Sequence, residues 1–477
     1  MTRAGTEDAG TGGTNQAGVD RTASAFLVSV FCAMAATAAQ VTSLGKQVYD
    51  LTGRELDLGL LGLAEFAPAA LLVLVTGAVA DRHERRLVAS AALVAEAVAA
   101  AGLLLYAGTE PTAVGPIFAL VFCFGIARAF AAPASRALIG DIVAPERLPW
   151  LVARFSFSWQ AALVVGPVIG GLLYTVDVRL PYAASAALLL VAAGALAFVR
   201  PLRSAGDRRA SAAAAAMVSP TSPADALAAA APALSSAAPP ARSLDAVGAG
   251  SAEPVIGAAR RPVRAGLRDA VEGFRFIRRV PILLGALSLD LFAVLFGGAW
   301  ALLPAIATDR LHVDAAGLGW LRAAGGLGAG AVTLSLARRP LRHRVGPVLL
   351  LAVAAFGVFT IVLGVTRSYP VAFAAMMLLS AADAVSVFVR ATLVPLVTPE
   401  DKRGRVLAVE NVFIGGSNEL GAFESGVAGQ LIGPSGAIVL GGVATLAVAG
   451  GWWFLFPDLR RVDRFPASAA SPAVPPD

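Results

Sequence analysis

This chain has little charge and almost no cysteine or histidine. Charged residues fill 15% of its 477 positions, hydrophobic residues fill 57%, and the mean hydropathy is +0.73. Soluble domains carry about 25% charged residues, so a soluble globular fold is excluded. The two cysteines, Cys32 and Cys123, both sit inside apolar runs and read as small hydrophobes, not as a disulfide. His83, His312 and His343 fall in separate predicted loops, so no ligand cluster for a metal is visible and no cofactor is expected. There is no Gly-Lys-Ser/Thr phosphate loop, which argues against ATP as the energy source. There is also no His-Glu-x-x-His, no Cys/His set and no Gly-x-Ser-x-Gly, which argues against an intramembrane enzyme. Lysine is scarce and arginine does nearly all the basic work, which reads as genome composition.

Apolar runs of about 20 residues, each long enough to cross a ~30 Å hydrocarbon core, recur along the chain. In lipid every backbone amide needs a partner within its own segment, so runs of this length form helices. Twelve spans are predicted, at 23–45, 56–80, 87–108, 112–134, 150–176, 181–200, 282–308, 315–337, 345–366, 370–396, 405–432 and 435–457. The fold class is therefore an all-α polytopic membrane protein, with twelve transmembrane helices in two pseudo-symmetric six-helix bundles.

The net charge of +6 comes from basic residues in alternate loops, the positive-inside pattern, and not from a nucleic-acid face. Clusters at Arg82/Arg85/Arg86, Arg338/Arg339/Arg342/Arg344 and Lys402/Arg403/Arg405 alternate with single basics such as Arg54, Arg179, Arg310 and Arg367. Both termini are expected in the cytoplasm. The first span ends in a stretch that superficially offers a signal-peptidase site, but the apolar run continues to Leu44, so it is expected to remain uncleaved.

Residues 1–20 are expected to be disordered, 21–200 to form the first bundle, 282–457 the second, and 458–477 a cytoplasmic tail. The intervening 201–281 begins as an Ala/Ser/Pro tract without capacity for a core. It ends near 266–279 in an amphipathic pattern, with Leu267, Val271, Phe274 and Ile277 opposite Arg268, Arg275, Arg278 and Arg279. The two halves are related. Arg136 to Glu146 and Arg390 to Glu400 align without gaps at an offset of 254, each at the end of the fourth span of its half. Parallel repeats of six helices are a transporter architecture with a site at the midplane.

Three motifs carry a family resemblance. Gly77-Ala-Val-Ala-Asp81-Arg82-His-Glu-Arg85-Arg86 is a short charged turn between two membrane-length runs. It resembles the loop between helices two and three of major facilitator superfamily transporters, with Glu84 in place of the usual second glycine. Gly166-Pro167-Val-Ile-Gly170-Gly171 resembles the helix-five signature of that superfamily's exporters. Small residues there permit close helix approach and the proline bends the span, although ordinary packing in a glycine-rich chain would produce a similar cluster. The run from Asp383 through Arg405 to Gly426 is similar to the branch that includes the enterobactin exporter and related drug efflux proteins. The loop between spans eight and nine departs from the pattern and carries no second hinge motif.

The resemblance implies a conformational latch of Gly77, Asp81, Arg82, Arg85, Arg86, Arg136 and Arg405. Arg128 lies inside span four, where an unpaired cation is costly and needs a carboxylate. Glu65 and Asp290 are the favoured partners, and Glu96 is expected to be peripheral packing. Asp383, Asn418 and Glu419 join Glu65, Arg128 and Asp290 as cavity or proton-coupling candidates. The function expected is export of a small amphipathic molecule, siderophore or drug-like, by proton antiport. The alternative is a lysophospholipid flippase or small-molecule importer of the same fold. Expected partners are a small-molecule substrate, protons and the bilayer, with no nucleic acid and a monomeric state.

Overall fold

A computed structural model describes residues 11–200 and 263–466. Among these every regular element is helical. The first half holds α1 (Thr11–Thr52), α2 (Glu55–Arg82), α3 (Arg85–Ala107), α4 (Gly115–Ile142), α5 (Leu148–Val176) and α6 (Leu180–Ala197). After the undescribed 201–262 come α7 (Val263–Arg279), α8 (Pro281–Phe296) and the short α9 (Ala299–Ala305). The second half continues with α10 (Ala315–Arg338), α11 (Val345–Val365), α12 (Tyr369–Val397), α13 (Glu400–Ile432), α14 (Pro434–Leu455) and the terminal turn α15 (Pro457–Arg460).

Proline opens α5, α6, α8, α12 and α14 in the first turn, where its missing N–H costs nothing. Gly53 and Gly433 take positive φ, of 59° and 78°, and allow the abrupt reversals after α1 and α13. Asp314 caps α10 by accepting from the Gly317 N–H at 2.9 Å. The expected single span 282–308 is instead broken. Gly297 and Gly298 end α8, α9 follows, and a π turn covers Ile306–Arg310. Two consecutive glycines and Pro304 make the break inexpensive, and Gly298 lies against the backbone of Gly421 in α13 too closely for any side chain.

The packing repeats. In the first half α1 meets α5 and α6, α3 meets α4 and α6, and α2 meets α4. In the second half α8 meets α13 and α14, α11 meets α12 and α14, and α10 meets α12, the same scheme displaced by one half. The halves join chiefly through α5 against α10 and α2 against α13, which the same displacement exchanges. Helices α4 and α12 begin 254 residues apart, the offset of the Arg136 and Arg390 segments.

Nine of the described helical segments are long and apolar enough to cross a membrane, from 18 to 33 residues, and only 28–56% of their apolar windows is buried inside the fold. The remainder, including Leu105, Phe198, Leu431 and Phe454, forms an exposed apolar belt, as a lipid-facing exterior requires. Three helices of comparable length, α2, α10 and α13, fall outside that set. Their glycines and polar groups face other helices: Glu65 and Glu419 line the interior, and Gly59 packs on Gly426.

Candidate functional site

Between the halves lies a cavity of about 420 Å³, lined by residues of α1, α2, α4, α5, α9, α10, α12 and α13. Its size falls within the ~300–1,000 Å³ of small-molecule sites. One end is sealed by cross-half contacts. Gly45 of α1 faces Pro304, with room for a methyl only at 3.0 Å. Tyr49 donates to the Asp309 carboxylate. Gly59 of α2 packs on Gly426 of α13, where a methyl would stand 3.2 Å from the Cα.

The helix-five glycines account for the close approach on both sides of α5. A methyl at Gly166 would lie 2.7 Å from the Ala35 carbonyl oxygen, and one at Gly170 would lie 2.6 Å from that of Ala39. Gly171 faces the other way, onto Ala315 and Gly319 of α10. Pro167 lines the cavity between these contacts. The motif thus fixes α5 against α1 within one half and against α10 across the halves.

Arg128 and Glu65 form an ion pair at 3.0 Å on the cavity wall, with side chains 36% and 23% exposed. Glu419 and Asp383 line the same space. A methyl at Gly62 would stand 3.1 Å from the Glu419 carboxylate, which places that group beside α2. Glu96, read from sequence as peripheral packing, is buried and is not among the residues lining the cavity; Arg128 and Glu65 are its charged neighbours.

Two other candidates lie elsewhere. Asp290 does not meet Arg128. It pairs with Arg390 at 2.7 Å inside the second half, both side chains under a tenth exposed, beside a void of about 10 Å³. Asp383 and Glu410 are the further charged neighbours of this pair. Asn418 is exposed and donates to its own helix at Ile414, 2.8 Å away. Successive helix positions are about 100° apart, so Glu419 can face the cavity only if Asn418 turns from it.

Gly77, Asp81 and Arg82 form the last turns of α2, and their side chains lie outside the described residues. Arg85 donates to Asp141 and to the Ala137 carbonyl, each at 3.1 Å, and Arg86 donates to the Val199 carbonyl at 3.1 Å. These bonds tie the start of α3 to the ends of α4 and α6. Arg136 is exposed, whereas Arg405 pairs with Glu272 of α7 at 2.7 Å.

Sequence reasoning missed Arg322, Gln160, Trp300 and Ser380, all on the cavity wall. For Arg322 a signal was present: an arginine within the apolar run of span eight, as conspicuous as Arg128. No pattern distinguishes Gln160 or Ser380 from other polar residues in a span.

Two packed six-helix halves around a central cavity, within an apolar belt, define a multi-pass membrane transporter. Residues 26–301 match the sequence profile of the Major Facilitator Superfamily, and residues 256–474 match that of a transmembrane secretion effector. The chain belongs to the Major Facilitator Superfamily. A comparison with curated proteins finds no match. Among solved structures it is similar to a POT family transporter in complex with 5-aminolevulinic acid, at 11% identity over 92% of this chain and 96% of that one, TM-score 0.64. It is similar to the nucleoside transporter NupG at 12% identity over 91% and 100%, TM-score 0.59. It also resembles the human organic anion transporter MFSD10 (TETRAN) at 17% identity over 91% and 99%, TM-score 0.53. At these identities the likeness concerns the fold alone.

Proposed function

We propose that this protein is a twelve-span secondary exporter of the bacterial cytoplasmic membrane, with both termini in the cytoplasm. It acts as a monomer and moves a small amphipathic molecule, siderophore or drug-like, outward in exchange for protons. The observation that carries this reading is the Arg128–Glu65 pair on the cavity wall, joined by Glu419. Charged groups inside a membrane fold are costly unless function retains them. A carboxylate that can exchange an arginine for a proton is a means of coupling a cavity to a pH gradient. The partial exposure of both partners supports this, since water must reach the group that takes the proton.

In alternating access the two halves rock about the cavity. The seal described above closes one end, which the positive-inside pattern places outside, so the cavity opens toward the cytoplasm in this state. Asp81 is the proposed latch residue for the opposite state, in which the ends of α2 and α13 approach.

The test uses protein in liposomes with an imposed pH gradient, an internal pH dye and a panel of catecholate and hydroxamate siderophores. Proton movement that depends on one of these compounds, and that Glu65→Gln abolishes, is the expected result. Compound movement without protons, or equal coupling in Glu65→Gln, refutes the reading. Movement in the direction of the proton gradient assigns the protein to importers.

A further inference from the structure

Near its sealed end the cavity holds an arginine without a direct partner among the described residues, whose nearest opposite charge, Glu65, is already paired with Arg128. Five charged residues line the space: Glu65, Arg128, Arg322, Asp383 and Glu419. Arg128 is taken by Glu65 at 3.0 Å. Arg322 has neither an ion pair nor a hydrogen bond among the described residues, and its Nε is buried without an acceptor. Arginine keeps its charge at any physiological pH, so this position cannot be neutralised by losing a proton.

The surroundings of Arg322 form a small built site. Its Nη2 approaches α1 at Gly45, 3.7 Å from where a side chain would begin, directly beneath the seal. Trp300 lies across Gly325, whose missing side chain gives the indole its seat; a methyl there would meet the ring at Cζ2, 2.8 Å away. On the same glycine stands Ser380, whose hydroxyl is also buried without a partner and would be 2.9 Å from that methyl. Two orphaned hydrogen-bonding groups and an indole ring thus line the same cavity, Arg322 on α10 and the other two against Gly325, one turn along that helix. Neither remaining carboxylate pairs with Arg322: Glu419 stands beside α2, and Asp383, one turn beyond Ser380 on α12, neighbours the Asp290–Arg390 pair.

We infer that this end of the cavity binds the anionic group of the substrate, with Arg322 as the docking cation and Trp300 carrying an adjoining aromatic or apolar body. The substrate class is a small amphipathic molecule bearing an oxyanion, of which a carboxylate fits the guanidinium fork best. The inference rests on the central cavity being the substrate site. It also agrees with outward movement, because a negative interior drives an anion outward.

The experiment uses the full chain in nanodiscs and three quenchers of tryptophan fluorescence with one aromatic body: 4-nitrobenzoate, 4-nitrobenzamide and 4-nitrobenzylamine. A saturable quench that disappears in Trp300→Phe reports binding at this site. The acid is expected to bind at least tenfold more tightly than the amide, and the amine more weakly than either. Arg322→Gln should reduce the acid to the level of the amide and leave the amide unchanged, and Arg322→Lys should keep part of the preference. If Arg322→Gln does not fold, the wild-type ranking and Arg322→Lys decide. An amide that matches the acid in wild type, or an acid that binds Arg322→Gln as tightly as wild type, overturns the anion assignment and leaves the cavity as the substrate site. No Trp300-dependent quench from any of the three overturns both.

Discussion

Replacing Asp290 by asparagine strands the Arg390 guanidinium in the interior of the second half. The two groups meet at 2.7 Å with side chains 7% and 5% exposed, so little water can take over the lost charge. Removing one partner of a buried pair typically costs about 3–5 kcal/mol. Asparagine retains a dipole, and Asp383 and Glu410 remain near the arginine, so about 2–3 kcal/mol is expected here. Arg390→Gln should cost a similar amount, by leaving the Asp290 carboxylate buried without its counter-charge. The two changes should not add: a coupling of about 1 kcal/mol or more is expected, as for residues in direct contact. The Arg128–Glu65 pair provides the contrast. It has nearly the same length, 3.0 Å, but exposures of 36% and 23%, and a solvated pair is worth about 0–1 kcal/mol. The assay is a double-mutant cycle on each pair, read by reversible unfolding in mixed micelles. Additive effects at Asp290 and Arg390, or equal coupling in both pairs, would refute the argument that burial sets these energies and leaves the cavity pair free to open.

Four further outcomes follow from the packing and the charge pattern. Gly170→Ala puts a methyl 2.6 Å from the Ala39 carbonyl oxygen and should destabilise α5 against α1 by about 1–3 kcal/mol, measured as lost thermal stability, while Gly194→Ala, which meets nothing, should be neutral. Gly325→Ala displaces Trp300 from its seat and should weaken 4-nitrobenzoate binding severalfold without loss of folded yield. Reporter fusions at positions 110, 178 and 310 should all report the outer side, and a cytoplasmic signal at two of them would contradict the topology. Outside the membrane spans, the Asp463 carboxyl is held below the usual range by the His343 ring and the Arg344 N–H. A depressed carboxyl contributes stability above its unfolded value near pH ~4 and loses it as pH falls through the folded one. The protection from hydrogen exchange of Val345 and Gly346, whose amides donate to Asp463 and Val462, taken relative to the intrinsic rate at each pH, should therefore fall with acid in wild type and change less in Asp463→Asn.

The helical class and the duplication were legible because membrane length and loop charge are local properties of the sequence. That Arg128 needs a carboxylate was legible, since an intramembrane cation requires one, but the sequence left Glu65 and Asp290 equally favoured; the packing brings Glu65 to it. Asp290 was offered as a candidate for Arg128, and Arg390 was not considered as its partner because the 254-residue alignment put Arg390 level with Arg136, at the expected membrane interface. Arg390 is buried whereas Arg136 is exposed, and only the packing of α8 against α12 shows which arginine Asp290 reaches. The break at Gly297–Gly298 was hidden for a similar reason. Glycine is common in this chain, and its use here depends on how closely α13 passes, which is tertiary information.

The helix α7 has a consequence for how the polypeptide is wired. Glu272 holds Arg405, the Phe276 ring receives the Lys402 ammonium at 4.9 Å, Phe274 stacks edge-on with Phe413, and Gly273 lies against the Arg405 backbone. All of these partners belong to α13, so α7 travels with the second half. The covalent crossing between the halves therefore lies ahead of position 263, and the force that moves one half relative to the other has no need to pass through it. A chain cut within 201–262 and expressed as two polypeptides should reassemble through the non-covalent contacts between the halves, chiefly α2 with α13 and α5 with α10.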